Sequence, residues 1–361
     1  MRLCSSKADL KSKTQVPISG RYVDSLDCLV LDGCAILWVV QWPSNSSHQQ
    51  AQVKDFVDSF ESYILHRLQD KEVYLVFDRY LEYSTKSCTR QARGAGGCKT
   101  FLQLTYSSPL PTQTQVLNNP KNKKQLIAII VQKLKQSLTE QISQHKLVIT
   151  GQEDCPIELS MGLCIERQDL INHYEEADVI VVSQAIYVSS VEKKSVGVVA
   201  DDTDIFILLL YHFKLTQPSS AVMMIPTKHG QGRIVADIGK TAEDLGNLCL
   251  ELLPAHALTG CDQVPKHYGI AKKKMLKAAK ENQNSLSLLG KLEENFDDVM
   301  NQATRFIASC YSVQGVSNMT EARLKVWNRK AMKKTANKAP PLCSLPPTTA
   351  AFKENVKRAH L

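Results

Sequence analysis

Short apolar runs alternate with longer amphipathic stretches along most of the chain. Residues 51–69 place apolar side chains at helical spacing, and the runs on either side of this stretch have the length of buried strands. This alternation predicts an α/β fold with a mainly parallel central sheet flanked by helices. Three of the predicted strands lead into aspartate: 28–31 before Asp32, 72–77 before Asp78, and 196–200 before Asp202 and Asp204.

The remaining pattern fills in the layers around this sheet. A short strand is predicted at 146–150 and a hairpin at 221–226 and 232–238. Beyond residue 280 the pattern indicates a helical C-terminal region with a proline-rich tail at 339–349. The predicted helices of the second half span 122–144, 174–188, 241–258 and 271–280, with more helices to about residue 334.

Composition narrows the class of protein. Hydrophobic residues make up 43% and charged residues 22% of the 361 residues, as in ordinary globular chains. No run of about 18 apolar residues predicts a membrane span, and residues 1–17 lack the apolar segment of a secretory signal. Eleven scattered cysteines without C-x-x-C spacing favour free thiols over disulfides or zinc. We therefore expect an intracellular protein, nuclear or cytoplasmic, with no membrane partner; its net charge of +8 is compatible with a polyanionic one.

The carboxylates carry the candidate chemistry. Strands of a parallel sheet end at one edge, where ligands bind, so aspartates that follow three such strands are expected to converge. Repulsion among clustered carboxylates is relieved by a divalent cation, and Mg²⁺ or Mn²⁺ prefers oxygen ligands. Two such ions about 4 Å apart can activate water and stabilise a leaving oxygen. The predicted metal ligands are Asp32, Asp78, Asp202 and Asp204, with Glu175, Glu176, Asp178 and Asp262 from other acidic segments.

Each of these residues also has a plain structural explanation. One aspartate after a strand is usually a turn or helix-cap residue, and adjacent glutamates in a first helical turn usually interact with the helix dipole. Several acidic segments ending predicted strands in one chain favour the metal site over these explanations.

At these residues the sequence resembles the flap endonuclease and XPG-type nucleases of the PIN-like superfamily, and within them an uncharacterised animal branch. The ordered match runs over about 26–280. The segments that carry it are L-D32-G-C-A-I-L-W, V-F-D78-R-Y, E175-E176-A177-D178, D202-T203-D204 and L-T-G260-C261-D262, followed by Y-G269-I270-A271-K272-K273-K274.

The resemblance implies a domain organisation and roles for basic residues. It implies an N-terminal extension at 1–25, a PIN-like nuclease domain at 26–280 with a helix-turn-helix segment near 255–280, and a helical region at 281–361. Lys86 and Arg93, which follow Asp78, would steady the scissile phosphate. Arg90, Lys99, Lys272, Lys273 and Lys274 would bind nucleic acid. By contrast, the lysines at 121, 123, 124, 133 and 135 are predicted to form a solvated helix face.

Two positions depart from the family pattern. Tyr174 stands where the family has a glutamate, and Ala271 stands where it has the last glycine of a G-I-G turn. The first hypothesis is a nuclease that hydrolyses phosphodiester bonds in DNA or RNA, as flap or structure-specific endonucleases do. The resemblance implies that it uses two Mg²⁺ or Mn²⁺ ions. The alternative is a PIN-like module with weak or lost catalysis that binds nucleic acid or protein. A haloacid dehalogenase type of phosphatase is disfavoured because D-x-D occurs only at Asp202, too late in the chain.

Overall fold

The computed structural model describes residues 8–18, 23–45, 50–80, 100–141, 144–151, 153–227, 234–261, 264–282, 284–332 and 339–361. The chain divides into two compact units. The first spans Val16–Lys240, and the second combines Met1–Gln15 with Thr241–Leu361. The predicted α/β class with a helical C-terminal region is confirmed.

One mixed sheet forms the centre of the first unit. In the described residues its nine strands are β1 (Val16–Ile18), β2 (Cys28–Asp32), β3 (Glu72–Val76), β4 (Leu147–Thr150), β5 (Ile157–Ser160), β6 (Leu163–Glu166), β7 (Val196–Val199), β8 (Val222–Ile225) and β9 (Val235–Asp237). Their order across the sheet is β1-β9-β8-β7-β2-β3-β4-β5-β6.

The middle of the sheet is parallel and its margins are antiparallel. Strands β8, β7, β2, β3 and β4 run in one direction, whereas β9, β1, β5 and β6 pair antiparallel with their neighbours. The register sets Asp32 beside Val76 of β3, and Leu31 beside Val199 of β7. The strands that precede the three predicted aspartates are therefore direct neighbours, with β2 in the middle.

Helices surround this sheet. In the described residues of the first unit they are α2 (Gly33–Ile36), α3 (Val53–Leu68), α4 (Gln113–Leu117), α5 (Pro120–Leu138), α6 (Ala177–Ser190) and α7 (Thr203–Thr216). Helix α8 (Ile238–Leu245) begins in the first unit and ends in the second. Local sequence sets where the longer ones begin. Gln52 and Asp55 form a capping box at α3, and Asn119 caps α5 with proline at its first position.

The core explains why the strands are so apolar. Leu29, Leu31 and Leu75 belong to one buried cluster with side chains of α3 and α5. Alternate residues of the same strands, such as Val30 and Val76, are buried as well, and α6 packs against β2, β3 and β7. A sheet buried on both faces needs continuous apolar strands, and those are the runs visible in the sequence.

Three differences from the predicted elements have clear causes. The helix α7, which begins directly after Asp202, was not among the predicted elements, and the strand before it ends at Val199. The helix predicted at 174–188 begins at Ala177. The helix predicted at 241–258 is broken at Gly246, whose φ of +56° lies in the left-handed region.

The second unit is helical in its described part. Its helices are α1 (Ala8–Thr14), α9 (Leu248–Leu258), α10 (Lys272–Glu281), α11 (Phe296–Cys310), α12 (Met319–Ala331) and α13 (Thr349–His360). α1 packs on α10, and α9 packs on α10 and α13. Glu251 is buried and accepts a hydrogen bond from the Leu286 amide at 3.3 Å, and burial raises the pKa of its carboxyl.

Two further expectations concern membrane spans and the state of the cysteines. Among the described residues, no helix combines the length and apolar character needed to cross a membrane. The eight cysteines that the structure describes are free thiols, as predicted.

Candidate active site at the carboxyl edge of the sheet

Three aspartates lie where neighbouring parallel strands end. Asp32 is the last residue of β2, Asp78 lies two residues beyond β3, and Asp202 lies three residues beyond β7. Adjacent strands are about 4.8 Å apart, and parallel strands end at the same edge. The topology therefore brings the three predicted positions to one edge of the sheet.

Each of these aspartates also accepts a hydrogen bond at the start of a helix. Asp32 accepts from the Ala35 amide of α2 at 3.1 Å, and Asp202 accepts from the Asp204 amide of α7 at 2.9 Å. Asp78 reaches across from β3 and accepts from the Ala177 amide of α6 at 2.9 Å. The carboxylates are fixed by the amides of three helix starts, whose dipoles also favour negative charge.

Close packing holds α2 against the end of β3. A Cβ atom added to Gly33 would lie 2.6 Å from Cε1 of Phe77 and 2.8 Å from the backbone oxygen of Val76. Because the second neighbour is backbone, a side chain at this position would have to move Asp32 away from β3. The glycine after Asp32 is thus required for the close approach of the first two aspartates.

Burial and neighbouring charge perturb Asp32. The pKa of its carboxyl is raised to about 6, and burial is the largest cause. The Ala35 hydrogen bond and the charge of Lys123 lower this pKa, whereas the charge of Asp78 raises it. A carboxylate beside another carboxylate in a half-buried position is costly to ionise. A cation next to this pair would stabilise both charges.

Lys123 places such a cation beside the pair. It lies near the start of α5 and is half-buried, with its ammonium 5.8 Å from the ring centroid of Tyr80. Burial lowers its pKa, but interactions with Cys34, Asp78 and Asp32 outweigh burial and raise it overall. Since burial raises the pKa of the Cys34 thiol to about 12, the two carboxylates are the charges that Lys123 balances near neutral pH.

The neighbouring residue anchors the helix that carries Lys123. Asn122 is fully buried; its side-chain amide donates to the carbonyls of Thr100 and Gln115 at 3.1 Å, and its oxygen accepts from the Leu102 amide at 2.9 Å. These bonds fix the first turn of α5 against two other segments. The prediction of a solvated lysine face is accordingly wrong for Lys123, whereas Lys121, Lys124 and Lys135 are exposed.

Arg79 organises the loops around Asp78. The residue is only 2% exposed, and its guanidinium donates to five backbone carbonyls. One of its nitrogens also lies 3.2 Å from a carboxylate oxygen of Asp154. Burial lowers the pKa of this guanidinium. The accepting carbonyls belong to Gly151, Glu153 and Asp154 after β4, and to Asn172 and Tyr174 before α6.

The other predicted acidic ligands lie at the starts of α6 and α7. Glu176 is the residue before α6, without a side-chain cap hydrogen bond, and Glu175 precedes it; Asp178 lies in the first turn. Asp204 lies in the first turn of α7. The Glu175 carbonyl accepts from the Arg79 amide at 2.9 Å, and the backbone is extended at Glu176, just before the helix. The glutamates therefore precede the helix instead of lying in its first turn.

Some predicted site residues fall elsewhere. Lys86, Arg90, Arg93, Lys99 and Asp262 lie outside the described residues. Lys273 and Lys274 are exposed on α10 in the second unit, in keeping with their predicted phosphate contacts, which stay a prediction.

Lys272 differs from its exposed neighbours on α10. It is buried, and its ammonium donates to the carbonyls of His256 and Gly260 and to the hydroxyl of Thr259. Its charge thus stabilises the C-terminal end of α9, where the last carbonyls have no partner amide within the helix, and this favours a structural role over the predicted phosphate contact.

The side chains at the carboxyl edge of the sheet can be compared with the ligands that the predicted metal prefers. They are carboxylates, the ligand type that Mg²⁺ and Mn²⁺ prefer, and the charge of Asp78 raises the pKa of Asp32. Within the described part of the chain, however, no three His, Cys, Asp or Glu side chains are grouped closely enough to hold an ion. The arrangement fits an ion bound through few protein ligands and several waters, as is usual for Mg²⁺.

The raised pKa of Asp32 predicts how stability depends on pH. Its carboxyl is harder to ionise when folded than the ordinary value of 3.8, so the folded state loses stability as pH rises from about 4 to about 6. In EDTA, Asp32→Asn is expected to raise the free energy of unfolding at pH 8 by about 1–2 kcal/mol, and to have little effect at pH 3.5. Urea unfolding at both pH values measures this.

A control separates this effect from a general one. Asp70 is exposed in the turn before β3, so Asp70→Asn is expected to leave unfolding unchanged at either pH. An Asp32→Asn variant that is less stable than the original chain at pH 8 would contradict the assigned cost of the Asp32 charge.

Comparison with known proteins gives matches among solved structures and none in sequence. No protein-family model matches the chain, and no curated protein matches it in sequence. Among solved structures it is similar to human GEN1 in complex with Holliday junction DNA, with a TM-score of 0.43 and 11% identity over 79% of this chain; the match covers 57% of the GEN1 chain. Two structures of the catalytic core of Rad2 with DNA substrate give TM-scores of 0.42 and 12% identity, covering 97% and 98% of this chain and 92% and 94% of those chains.

Proposed function

We propose that this protein is a metal-dependent nuclease that hydrolyses phosphodiester bonds in DNA or RNA. The observation that carries the proposal is the pairing of Asp32 and Asp78 at the ends of neighbouring parallel strands, with the ammonium of Lys123 beside them. Half-buried carboxylates at such an edge suit a divalent cation, and the positive side chain beside them suits a phosphate. The order of acidic motifs in the sequence points to the same chemistry.

Each group of residues receives a role. Asp32, Asp78, Asp202 and Asp204 would hold Mg²⁺ or Mn²⁺ directly or through water, with Glu176 the next candidate. The bound ions would supply an activated water and stabilise the leaving oxygen. Lys123 would approach a non-bridging phosphate oxygen and offset the charge that develops there. Lys86, Arg93 and Asp262 keep the roles that the sequence resemblance implies, and action on flaps or other branched structures is part of the same proposal.

Cleavage assays with Asp202→Asn test the proposal. Wild-type protein is expected to cleave single-stranded or branched oligonucleotides in Mn²⁺ or Mg²⁺ and not in EDTA. Asp202→Asn keeps a side chain that can accept from the Asp204 amide but removes the charge, so we expect cleavage to fall by about 10²-fold or more with folding intact. Gel-resolved product formation and circular dichroism measure both.

Asp70→Asn serves as the matched control because it removes one exposed carboxylate away from the carboxyl edge. Equal cleavage by wild-type protein and Asp202→Asn would sink the assignment of this edge as the active site.

The alternative is a nucleic-acid or protein binding module of the same fold with weak or lost catalysis. One observation favours it: the described residues contain no group of three metal-ligating side chains. Tyr174 in place of a glutamate points the same way. Binding of oligonucleotides that persists without cleavage at any Mn²⁺ or Mg²⁺ concentration would establish the module and exclude the nuclease.

A further inference from the structure

An exposed aromatic ring lies next to the acidic edge, the carboxyl edge of the sheet where Asp32, Asp78 and Asp202 lie. Tyr174 is 53% exposed and precedes the glutamates that lead into α6. Three residues later, the Ala177 amide donates to Asp78. Tyr174 is therefore two residues from Glu176 and three residues from the amide that binds Asp78, and both of these acidic residues are predicted metal ligands.

The backbone around Tyr174 is held in place. Arg79 donates to the carbonyl of Asn172 at 2.6 Å and to that of Tyr174 at 3.1 Å, and the Arg79 amide donates to the carbonyl of Glu175 at 2.9 Å. Because Arg79 is itself buried, these bonds tie the segment to the end of β3. A ring presented from a fixed backbone loses little conformational entropy when it binds a ligand.

The surroundings of Tyr174 favour a base over a phosphate as that ligand. Glu175 and Glu176 follow it in the chain, and the imidazole of the preceding His173 lies 3.0 Å from a carboxylate oxygen of Asp154. Carboxylates repel the phosphate backbone, whereas the uncharged face of an aromatic ring stacks on any nucleobase. Bases inside a duplex have both faces covered, so a base must be unpaired to stack on this ring.

We propose that Tyr174 is a stacking platform for an unpaired base next to the phosphate at the acidic edge. The assignment rests on the proposed nuclease function. It makes Tyr174 a residue that selects single-stranded over duplex nucleic acid, at the position where a glutamate occurs in the family that the sequence resembles.

Binding without cleavage tests the assignment. Fluorescence anisotropy in EDTA gives the Kd of a labelled single-stranded oligonucleotide, of its duplex, and of the same strand made of abasic residues, which keep the phosphates and lack bases. Tyr174→Leu is expected to weaken binding of the single strand about tenfold, while Tyr174→Phe stays within about twofold of wild type because it keeps the ring. Leu215→Ala, an exposed apolar residue at the end of α7, serves as control.

The abasic strand separates the contribution of base stacking from that of the phosphates. Wild-type protein is expected to bind it more weakly than the normal strand, and Tyr174→Leu is expected to cause no further loss. Equal losses for the single strand, the duplex and the abasic strand would show that Tyr174 acts on the backbone or on folding, which overturns the assignment. Normal binding by Tyr174→Leu together with metal-dependent cleavage would overturn it while the nuclease function stands. Absence of nucleic-acid binding by the wild-type protein would overturn both.

Discussion

Lys123→Ala is expected to lower the rate of phosphodiester cleavage by about 10²–10³-fold, the usual cost of losing one positioned group that stabilises transition-state charge. The ammonium lies in a half-buried position beside Asp32 and Asp78, where charge interactions are stronger than in water. Single-turnover rates at saturating Mn²⁺ measure the chemical step directly. A loss in the rate constant with little change in oligonucleotide affinity is the expected pattern.

Two controls sharpen this prediction. Lys121 lies on the same turn of α5 but is exposed, so Lys121→Ala is expected to change the rate less than about twofold. Lys123→Ala also removes the charge that lowers the pKa of Asp32. If that were its whole role, raising the pH would restore the rate, because Asp32 would ionise again; we expect no such recovery. Full activity of Lys123→Ala at pH 7 would refute the role given to this lysine.

Arg79→Ala is expected to destabilise the protein by about 3–5 kcal/mol, as breaking a buried charged network commonly does. The substitution leaves five backbone carbonyls of two loops without the donor they share. Buried acceptors that lose their partner pay their desolvation cost in full. Urea unfolding followed by circular dichroism gives the change in the free energy of unfolding.

Arg67→Ala is the comparison of the same residue type. Arg67 donates to one carbonyl, that of Tyr63, and its guanidinium carbon lies 3.3 Å from the centroid of the Tyr63 ring. We expect this substitution to cost about 1 kcal/mol or less. Arg79→Lys is expected to recover only a small part of the loss, because an ammonium has three donors and cannot span both loops. Equal effects of Arg67→Ala and Arg79→Ala would contradict the role of Arg79 in joining the two loops.

The strand ends could be predicted because they depend on local chemistry. A strand buried on both faces must be apolar throughout, so the places where β2, β3 and β7 give way to aspartate are visible in the sequence. That the three strands are neighbours is a property of the sheet order and could only be expected from the rule for parallel sheets. The helix after Asp202 was missed because 205–210 is as apolar as a strand.

Lys123 was assigned to the solvated helix face with the other lysines because of its charge. Its spacing from the apolar residues of α5 indicates a position on the buried face instead. It lies three and four residues before Leu126 and Ile127, two buried residues of α5, and so falls on the face that meets the core. A lysine on that face must either reach solvent or find a carboxylate. Helical periodicity applied to the charged residues as well as to the apolar ones would have separated it from Lys121 and Lys124.

Arg79 had no comparable signal. Its partners are carbonyls from segments more than 70 positions away in the chain, and a carbonyl leaves no mark on the amino-acid type. Asp201 is a similar case, since its carboxylate accepts from the hydroxyl of Thr227 beyond the next strand. Interactions of this kind depend on the assembled fold, which local pattern does not contain.

The helix-capping bonds of Asp32, Asp78 and Asp202 have a consequence for how related chains are interpreted. Each aspartate contributes about 1 kcal/mol to folding by accepting from a helix amide, whether or not the chain still cleaves anything. Selection for a folded protein alone would therefore retain Asp78 and Asp202, and an aspartate or asparagine cap at position 32, in descendants that had lost catalysis.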